Sequence, residues 1–188
     1  MKYILLGIPN VGKSTLGKRA AEELGLPFYD TDLLAVERIK PKSMVDMLRP
    51  SFVRRMIVEQ VNAIIELAEN DESAIIATGA SLPSDGGCAD ILPKLGTVIH
   101  IKRSVDSARD DAIQNSGLTL VRIGDDGKAV QGSEINMSAK AVELYASDLP
   151  LLESISDYAI ENDGDINNGA DKLVALIRSI ESQMPISD

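Results

Sequence analysis

The sequence predicts an α/β protein in three layers, with a central parallel sheet of about five strands and helices on both faces. Three observations carry this prediction. Short β-branched runs alternate along the chain with longer amphipathic segments, the order that builds parallel sheets. Glycine closes several of these segments at the point where a pattern stops. The 188 residues fit one domain, 1–188, able to bury roughly 70% of its unfolded surface without staples.

Tyr3–Leu6 is a β-prone run that stops at Gly7 and reads as a buried strand. Lys13–Leu24 has helical character and ends at Gly25, a residue suited to the left-handed position after a helix. Pro27–Tyr29 is a second strand, and Asp30-Thr31-Asp32 supplies caps for a helix over Leu33–Ile39. Residues 40–50 read as irregular or briefly helical. Phe52–Ala68 is a longer helix with Val53, Ile57, Val61, Ile64, Ile65 and Ala68 on one face. Ser73–Ala77, closed by Thr78-Gly79, and Thr97–Ile101 are the third and fourth strands, and Val105–Ile113 is a short helix. The next stretch has little periodicity and is punctuated by Gly117, Gly124, Gly127 and Gly132, which predicts a mobile, lid-like insert over 116–133. Glu134–Ala146 is helical again. Tyr158–Ile160 is a fifth strand, and Gly169–Ser182 a last helix with Asn167 or Asn168 as its cap.

The formal net charge of -10 repels a nucleic-acid backbone, and no Lys/Arg run opposes it. The single cysteine, Cys88, read as a loop residue after Gly86-Gly87, cannot form an internal disulfide. No apolar run approaches the ~20 residues of a membrane span, and no signal-peptide pattern is visible. The expectation is a cytoplasmic protein, monomer or homodimer, whose partner is a small molecule rather than nucleic acid or membrane. His100 alternates with Ile99 and Ile101 in an apolar strand, which predicts a strand position with a local hydrogen bond rather than a catalytic base.

Gly7-Ile8-Pro9-Asn10-Val11-Gly12-Lys13-Ser14 matches G-x-x-x-x-G-K-[ST] without deviation. It follows a predicted strand and opens a predicted helix, as a phosphate loop must. The glycines free the backbone to turn its N–H groups inward around a polyphosphate. Lys13 supplies a cation for the β and γ oxygens, and Ser14 offers a hydroxyl to Mg²⁺. The expected ligands are therefore a nucleoside triphosphate, ATP or GTP with ATP the leading expectation, and Mg²⁺, held by Gly7, Asn10, Val11, Gly12, Lys13, Ser14 and Thr15, on a P-loop NTPase fold. Asp30 and Asp32 fall at a strand's C-terminal end, where such sheets place ligands.

The run Gly12-Lys13-Ser14-Thr15-Leu16-Gly17, followed by Leu24-Gly25-Leu26-Pro27-Phe28-Tyr29-Asp30-Thr31-Asp32, resembles the shikimate kinase family, within the wider nucleoside-monophosphate-kinase-like group. The resemblance implies that Asp30 helps hold Mg²⁺ and that Asp32 contacts the acceptor hydroxyls and takes the proton. It makes Arg54 or Arg55 the grip on the acceptor, with Gly79, Ala80 and Ser81 where the family has three glycines. Arg109 resembles the arginine near adenine, and Asn167 or Asn168 the loop beside it. Arg122 resembles the lid arginine that reaches the transferring phosphate. Asp148-Leu149-Pro150 falls where the family has Arg-x-Pro, so an acid replaces an arginine that clamps a carboxylate.

These readings imply an ATP-dependent kinase acting on a small-molecule hydroxyl, with shikimate as the leading acceptor. A different acceptor on the same scaffold, such as a polyol, nucleoside or nucleotide, stays open because of Asp148. A nucleotide-binding regulatory protein without an acceptor is the third reading. The chain lacks Asn-Lys-x-Asp, and it lacks Asp-x-x-Gly after a strand, both expected of a GTPase.

Overall fold

The computed structural model describes residues 1–40, 50–85, 88–115, 121–123, 129–131, 137–162 and 165–183. The first strand, β1 (Lys2–Leu6), is buried along its whole length. It has neighbours on both edges and helices on both faces, which is why it reads as a continuous apolar run rather than an alternating one. Helix α1 (Lys13–Leu24) follows, then β2 (Phe28–Asp30), α2 (Thr31–Ile39) and α3 (Pro50–Glu69). Strand β3 (Ala74–Ala77) leads through a 3-10 turn, Leu82–Ser84, to α4 (Cys88–Leu95) and β4 (Thr97–Lys102). Next come α5 (Val105–Asn115), β5 (Val121–Ile123), β6 (Ala129–Gln131) and α6 (Met137–Tyr145). A second 3-10 turn, Ala146–Asp148, runs into α7 (Leu149–Ile155), β7 (Tyr158–Glu161) and α8 (Ile166–Ser182).

The five-stranded sheet has the order β2-β3-β1-β4-β7, and every pairing in it is parallel. Register ties the faces together: Leu5 pairs with Ala77 and Ile99, Leu6 with His100. The odd-numbered β1 residues face α1 and α8. Tyr3 donates its hydroxyl to Glu181 of α8 at 3.0 Å, and Leu5 lies against Gly17 of α1. The opposite face meets α4 and α7, where Lys102 pairs with Glu153 at 2.6 Å. Each fully buried Ile or Leu of these strands contributes about 1.5–3 kcal/mol, so the central strands anchor the fold. Chain order reverses about β1, and the cleft for ligands opens at the C-terminal ends of β1 and its neighbours.

Several local expectations are corrected. Cys88 is not in a loop; it opens α4 and is buried. Helix α7 was not anticipated. The cap of α8 is Asp165, whose carboxylate accepts from the backbone N–H of Asn167 (2.9 Å) and Asn168 (3.4 Å); the two asparagines are its first-turn residues and are exposed. On α3, Val53 is 49% exposed and Ile65 36%, so the inner face is instead Phe52, Gln60, Ala63 and Ile64, flanked by Ile57 and Val61. His100 is buried, yet neither ring nitrogen has a hydrogen-bond partner among the described residues, contrary to the expected local bond. Burial holds its pKa down from 6.5 to about 4, so it is neutral. Of the predicted insert over 116–133, Val121–Ile123 and Ala129–Gln131 form an antiparallel pair in which Arg122 faces Val130 in register. The four glycines of that insert, Asp125-Asp126 and residues 41–49 lie outside the described residues.

Candidate active site

The loop between β1 and α1 turns as its sequence requires. Gly12 has φ 95°, a left-handed conformation that a β-carbon disfavours. A β-carbon there would also come within 2.7 Å of Asn162 Nδ2. Asn10 takes φ 61°, which asparagine tolerates better than most residues. Val11 is buried, and its carbonyl accepts from Asn162 Nδ2 at 2.8 Å. Asn162 follows β7 and is itself buried, so the last strand braces the loop from behind. From the other side, Arg103 Nη1 donates to the Asn10 carbonyl at 3.4 Å and to Asp111 Oδ2 at 2.5 Å.

Lys13 is 9% exposed. Its ammonium donates to the carbonyls of Gly7 (2.8 Å) and Ile8 (3.1 Å), which curls the side chain back over the loop. Desolvation brings its pKa down from 10.5 to about 8, against the opposing pull of Asp32 and Asp30. Ser14 Oγ donates to Asp30 Oδ2 at 2.5 Å. The other oxygen, Oδ1, accepts from the N–H of Asp32 (3.0 Å) and Leu33 (3.4 Å), capping α2 and fixing the carboxylate. A hydroxyl and a carboxylate oxygen thus meet beside Lys13, a hard-oxygen pair suited to Mg²⁺. Thr15 is exposed on the first turn of α1. Ser14, Thr15 and Asp30 line a broad open hollow of about 700 Å³ with Lys18 and Arg19.

Asp32 stands on the first turn of α2, facing the same cleft. Burial, then the neighbouring Asp30, raise its pKa from 3.8, while Lys13 pulls it down. Gly79, just past β3, lies over Asp32. A β-carbon on Gly79 would sit 2.4 Å from Gln60 Oε1 and 2.6 Å from Asp32 Oδ1, so no side chain fits there without displacement. The Gly79 N–H donates to Thr31 Oγ1 (3.0 Å) and Gln60 Oε1 (3.1 Å), and Thr31 Oγ1 donates to Gln60 Oε1 at 2.7 Å. Ala80 and Ser81 are half-buried; the Ser81 carbonyl accepts from Ser84 Oγ, which also donates to Asp148 Oδ2 at 2.8 Å.

The structure therefore brings Gly7, Asn10, Val11, Gly12, Lys13, Ser14, Asp30, Asp32 and Gly79 around one cleft. Arg54 and Arg55 are exposed on α3. Arg109 is held by Asp106 at 3.1 Å, with Asp110 and Glu143 within 3.9 Å. Asn167 is exposed at the start of α8. Three residues escaped the sequence reading: Gln60, Asn162 and Arg103. Gln60 left a signal, being a polar residue in register with Ile57 and Ile64 on the inner face of a helix. Asn162 and Arg103 each follow the C-terminal end of a strand, where ligand-side residues collect.

A parallel sheet with a phosphate loop after its first strand, a buried lysine and a carboxylate pair opposite defines a P-loop phosphotransferase. The family model described as shikimate kinase matches residues 9–178, and the chain belongs to the shikimate kinase family. A shikimate kinase from Sulfurihydrogenibium sp. is 32% identical over 113 residues, 58% of this chain and 66% of that protein. One from Syntrophus aciditrophicus is 27% identical over 162 residues, covering 84% of this chain and 80% of its own. The solved structure of a shikimate kinase from Acinetobacter baumannii in complex with shikimate has the same fold, with a TM-score of 0.72 at 21% identity, covering 96% of this chain and 94% of that one. The protein is a small-molecule kinase, an ATP-dependent phosphotransferase acting on a hydroxyl.

Proposed function

We propose that the protein transfers the γ-phosphoryl group of ATP to a hydroxyl of shikimate. The observation that carries this is the convergence of Lys13, the Ser14–Asp30 pair and Asp32 on one cleft. The amides of the phosphate loop and the Lys13 ammonium bind the β and γ phosphates. Ser14 and Asp30 hold Mg²⁺, which offsets phosphate charge when bound. Asp32 orients the acceptor hydroxyl and accepts its proton; a pKa raised from 3.8 makes it a better base than an aspartate at the ordinary value. Arg122 on the β5–β6 pair adds positive charge at the transferring phosphoryl, and Arg109 with Asn167 flanks the adenine. Arg54 or Arg55 contacts the acceptor, with the backbone at Gly79, Ala80 and Ser81. The relatives' name gives the acceptor.

Among the described residues no helix is long and apolar enough to cross a membrane. We place the protein in the cytoplasm as a monomer or homodimer that acts on a small molecule and binds neither nucleic acid nor membrane.

A second reading, a different acceptor on the same scaffold, is favoured by the Ser84–Asp148 hydrogen bond. It fixes an anion beside Ser81, where an acidic acceptor would be repelled. The deciding experiment is a coupled ADP-release assay with Mg²⁺ and ATP, run with shikimate and with uncharged polyols. ADP release that depends on shikimate supports the first reading, and release that depends only on another acceptor the second. ATP binding without transfer to any acceptor would contradict both.

A further inference from the structure

Asn162 stands one residue past β7 and Arg103 one residue past β4. The two strands are neighbours, and their last registered pair is Lys102 with Glu161, so Arg103 and Asn162 occupy the next rung. The Asn162 N–H still donates to the Lys102 carbonyl at 2.8 Å, which carries the pairing to this point. Asn162 is 4% exposed. Two glycines make room for it: a β-carbon on Gly12 would lie 2.7 Å from its Nδ2, and one on Gly169 of α8 3.0 Å from its Oδ1. The amide is therefore clamped between the phosphate loop and the last helix, with Nδ2 on the Val11 carbonyl at 2.8 Å. That bond fixes which end of the amide is the nitrogen.

Arg103 holds the preceding peptide in the same way. Its Nη1 donates to the Asn10 carbonyl at 3.4 Å, and Asp111 of α5 holds the same nitrogen at 2.5 Å. Arg103 Nε is buried with no partner among the described residues. An unpaired buried donor opposes folding, so stability alone does not account for an arginine here. Two consecutive carbonyls, of Asn10 and Val11, are thus held from outside the loop. A trans peptide unit is planar, with its C=O and N–H on opposite sides. Holding these two carbonyls therefore turns the N–H groups of Val11 and Gly12 the other way. A donor on a carbonyl also polarises its peptide, which strengthens the N–H at the far end.

We infer that Asn162 and Arg103 are positioning residues for the phosphates of the nucleotide. They act through the carbonyls of Val11 and Asn10, and they aim the amides of Gly12 and Val11 at the polyphosphate. This rests on the phosphate-loop reading above and names the groups outside the loop that set its grip. It also separates Asn162 from the start of α8, where Asn167 is assigned to the adenine. The part of the ligand that depends on Asn162 is the phosphate chain, with or without a base attached.

The test titrates the full chain calorimetrically, in Mg²⁺, with ATP and with inorganic tripolyphosphate, which has no base. Asn162→Ala removes the donor to Val11 without adding charge, and Kd for both ligands should rise about tenfold or more. Arg103→Met combined with Asp111→Asn removes one positive and one negative charge together, so the net charge beside the loop is kept. It should raise both Kd values about three- to tenfold. Either variant binding both ligands within about twofold of the parent, even if urea melts show lost stability, overturns the inference and leaves the phosphate-loop reading standing. Weaker ATP binding with unchanged tripolyphosphate binding also overturns it, because the effect then lies on the base side. A parent chain that binds neither ligand overturns the phosphate-loop reading itself. If Asn162→Ala does not fold, the charge-balanced pair decides by the same two titrations.

Discussion

On the nucleotide side of the cleft the ligand-facing groups are largely main chain: loop amides, carbonyls that hold Lys13, and the start of α1. On the Asp32 side the cleft is built instead on side chains brought together from three elements: Asp32 of α2, Gln60 of α3, which is buried, and the segment after β3. The difference has a physical origin. A polyphosphate is the same ligand in every such protein, and a backbone loop can bind it with few demands on residue type beyond glycine, lysine and a hydroxyl. An acceptor differs in shape and charge from one enzyme to the next, so its pocket depends on the identity of each side chain.

The comparison can be broken most sharply at Lys13. Lys13→Ala removes the buried ammonium held by the Gly7 and Ile8 carbonyls, and kcat/KM for ATP should fall about 10³-fold. Turnover within about tenfold of the parent would show that the loop does not carry the phosphates. Gly79→Ala tests the other half. Its methyl would strike Gln60 Oε1 and Asp32 Oδ1, so the acceptor KM should rise and stability should fall by about 1–3 kcal/mol. ATP affinity, measured by calorimetry, should not move; a parallel loss of ATP binding would mean that the halves are not separable.

Acid pH affects the fold and the acceptor side through different residues. The folded protein keeps His100 neutral, with a pKa near 4 against 6.5 when free. As pH falls below 6.5 the unfolded chain gains a proton that the folded chain refuses, so stability drops by up to roughly 3 kcal/mol by pH 4. His100→Phe should lack that loss in urea melts across this range. The rate should still fall on acidification in this variant, because Asp32 is raised above 3.8 and is inactive as a base once protonated. A variant with the parent's acid sensitivity to urea would remove His100 from the account.

The smallest effect concerns the Lys13 proton. With a pKa near 8 in the empty site, Lys13 is largely neutral at pH 9, and the phosphates of ATP raise its pKa again. Binding at pH 9 should take up about half a proton or more per nucleotide, and binding at pH 6.5 almost none. Calorimetry in two buffers of different ionisation heat reads this directly, and no uptake at pH 9 would contradict the burial of Lys13.

The nucleotide half was legible in the sequence because its chemistry lies in one contiguous stretch, Gly7 to Thr15, bounded by a strand and a helix that periodicity also identifies. Helix α1 begins at Lys13 and ends at Leu24, as read. The acceptor half was legible only at Asp30-Thr31-Asp32 and Gly79, which local motifs mark. Gln60 was missed because its partners, Thr31 and Gly79, are 29 and 19 residues away, and no local rule joins them. Asn162 is 151 residues from the Val11 carbonyl that it supports. The outward turn of Val53 and Ile65 shows the same limit. Six apolar residues spread around a helix do not say which arc meets the core, and on α3 the buried arc centres on Gln60 and Ile64.

Phosphoryl transfer itself tests the central claim most directly. Incubate the full chain with ATP, Mg²⁺ and a mixture of shikimate and neutral polyols, and follow the acceptors by ³¹P NMR. The account predicts a new phosphate monoester resonance that appears with ADP and is absent from the Lys13→Ala chain. ADP and inorganic phosphate alone, or a monoester formed equally well without Lys13, would contradict it.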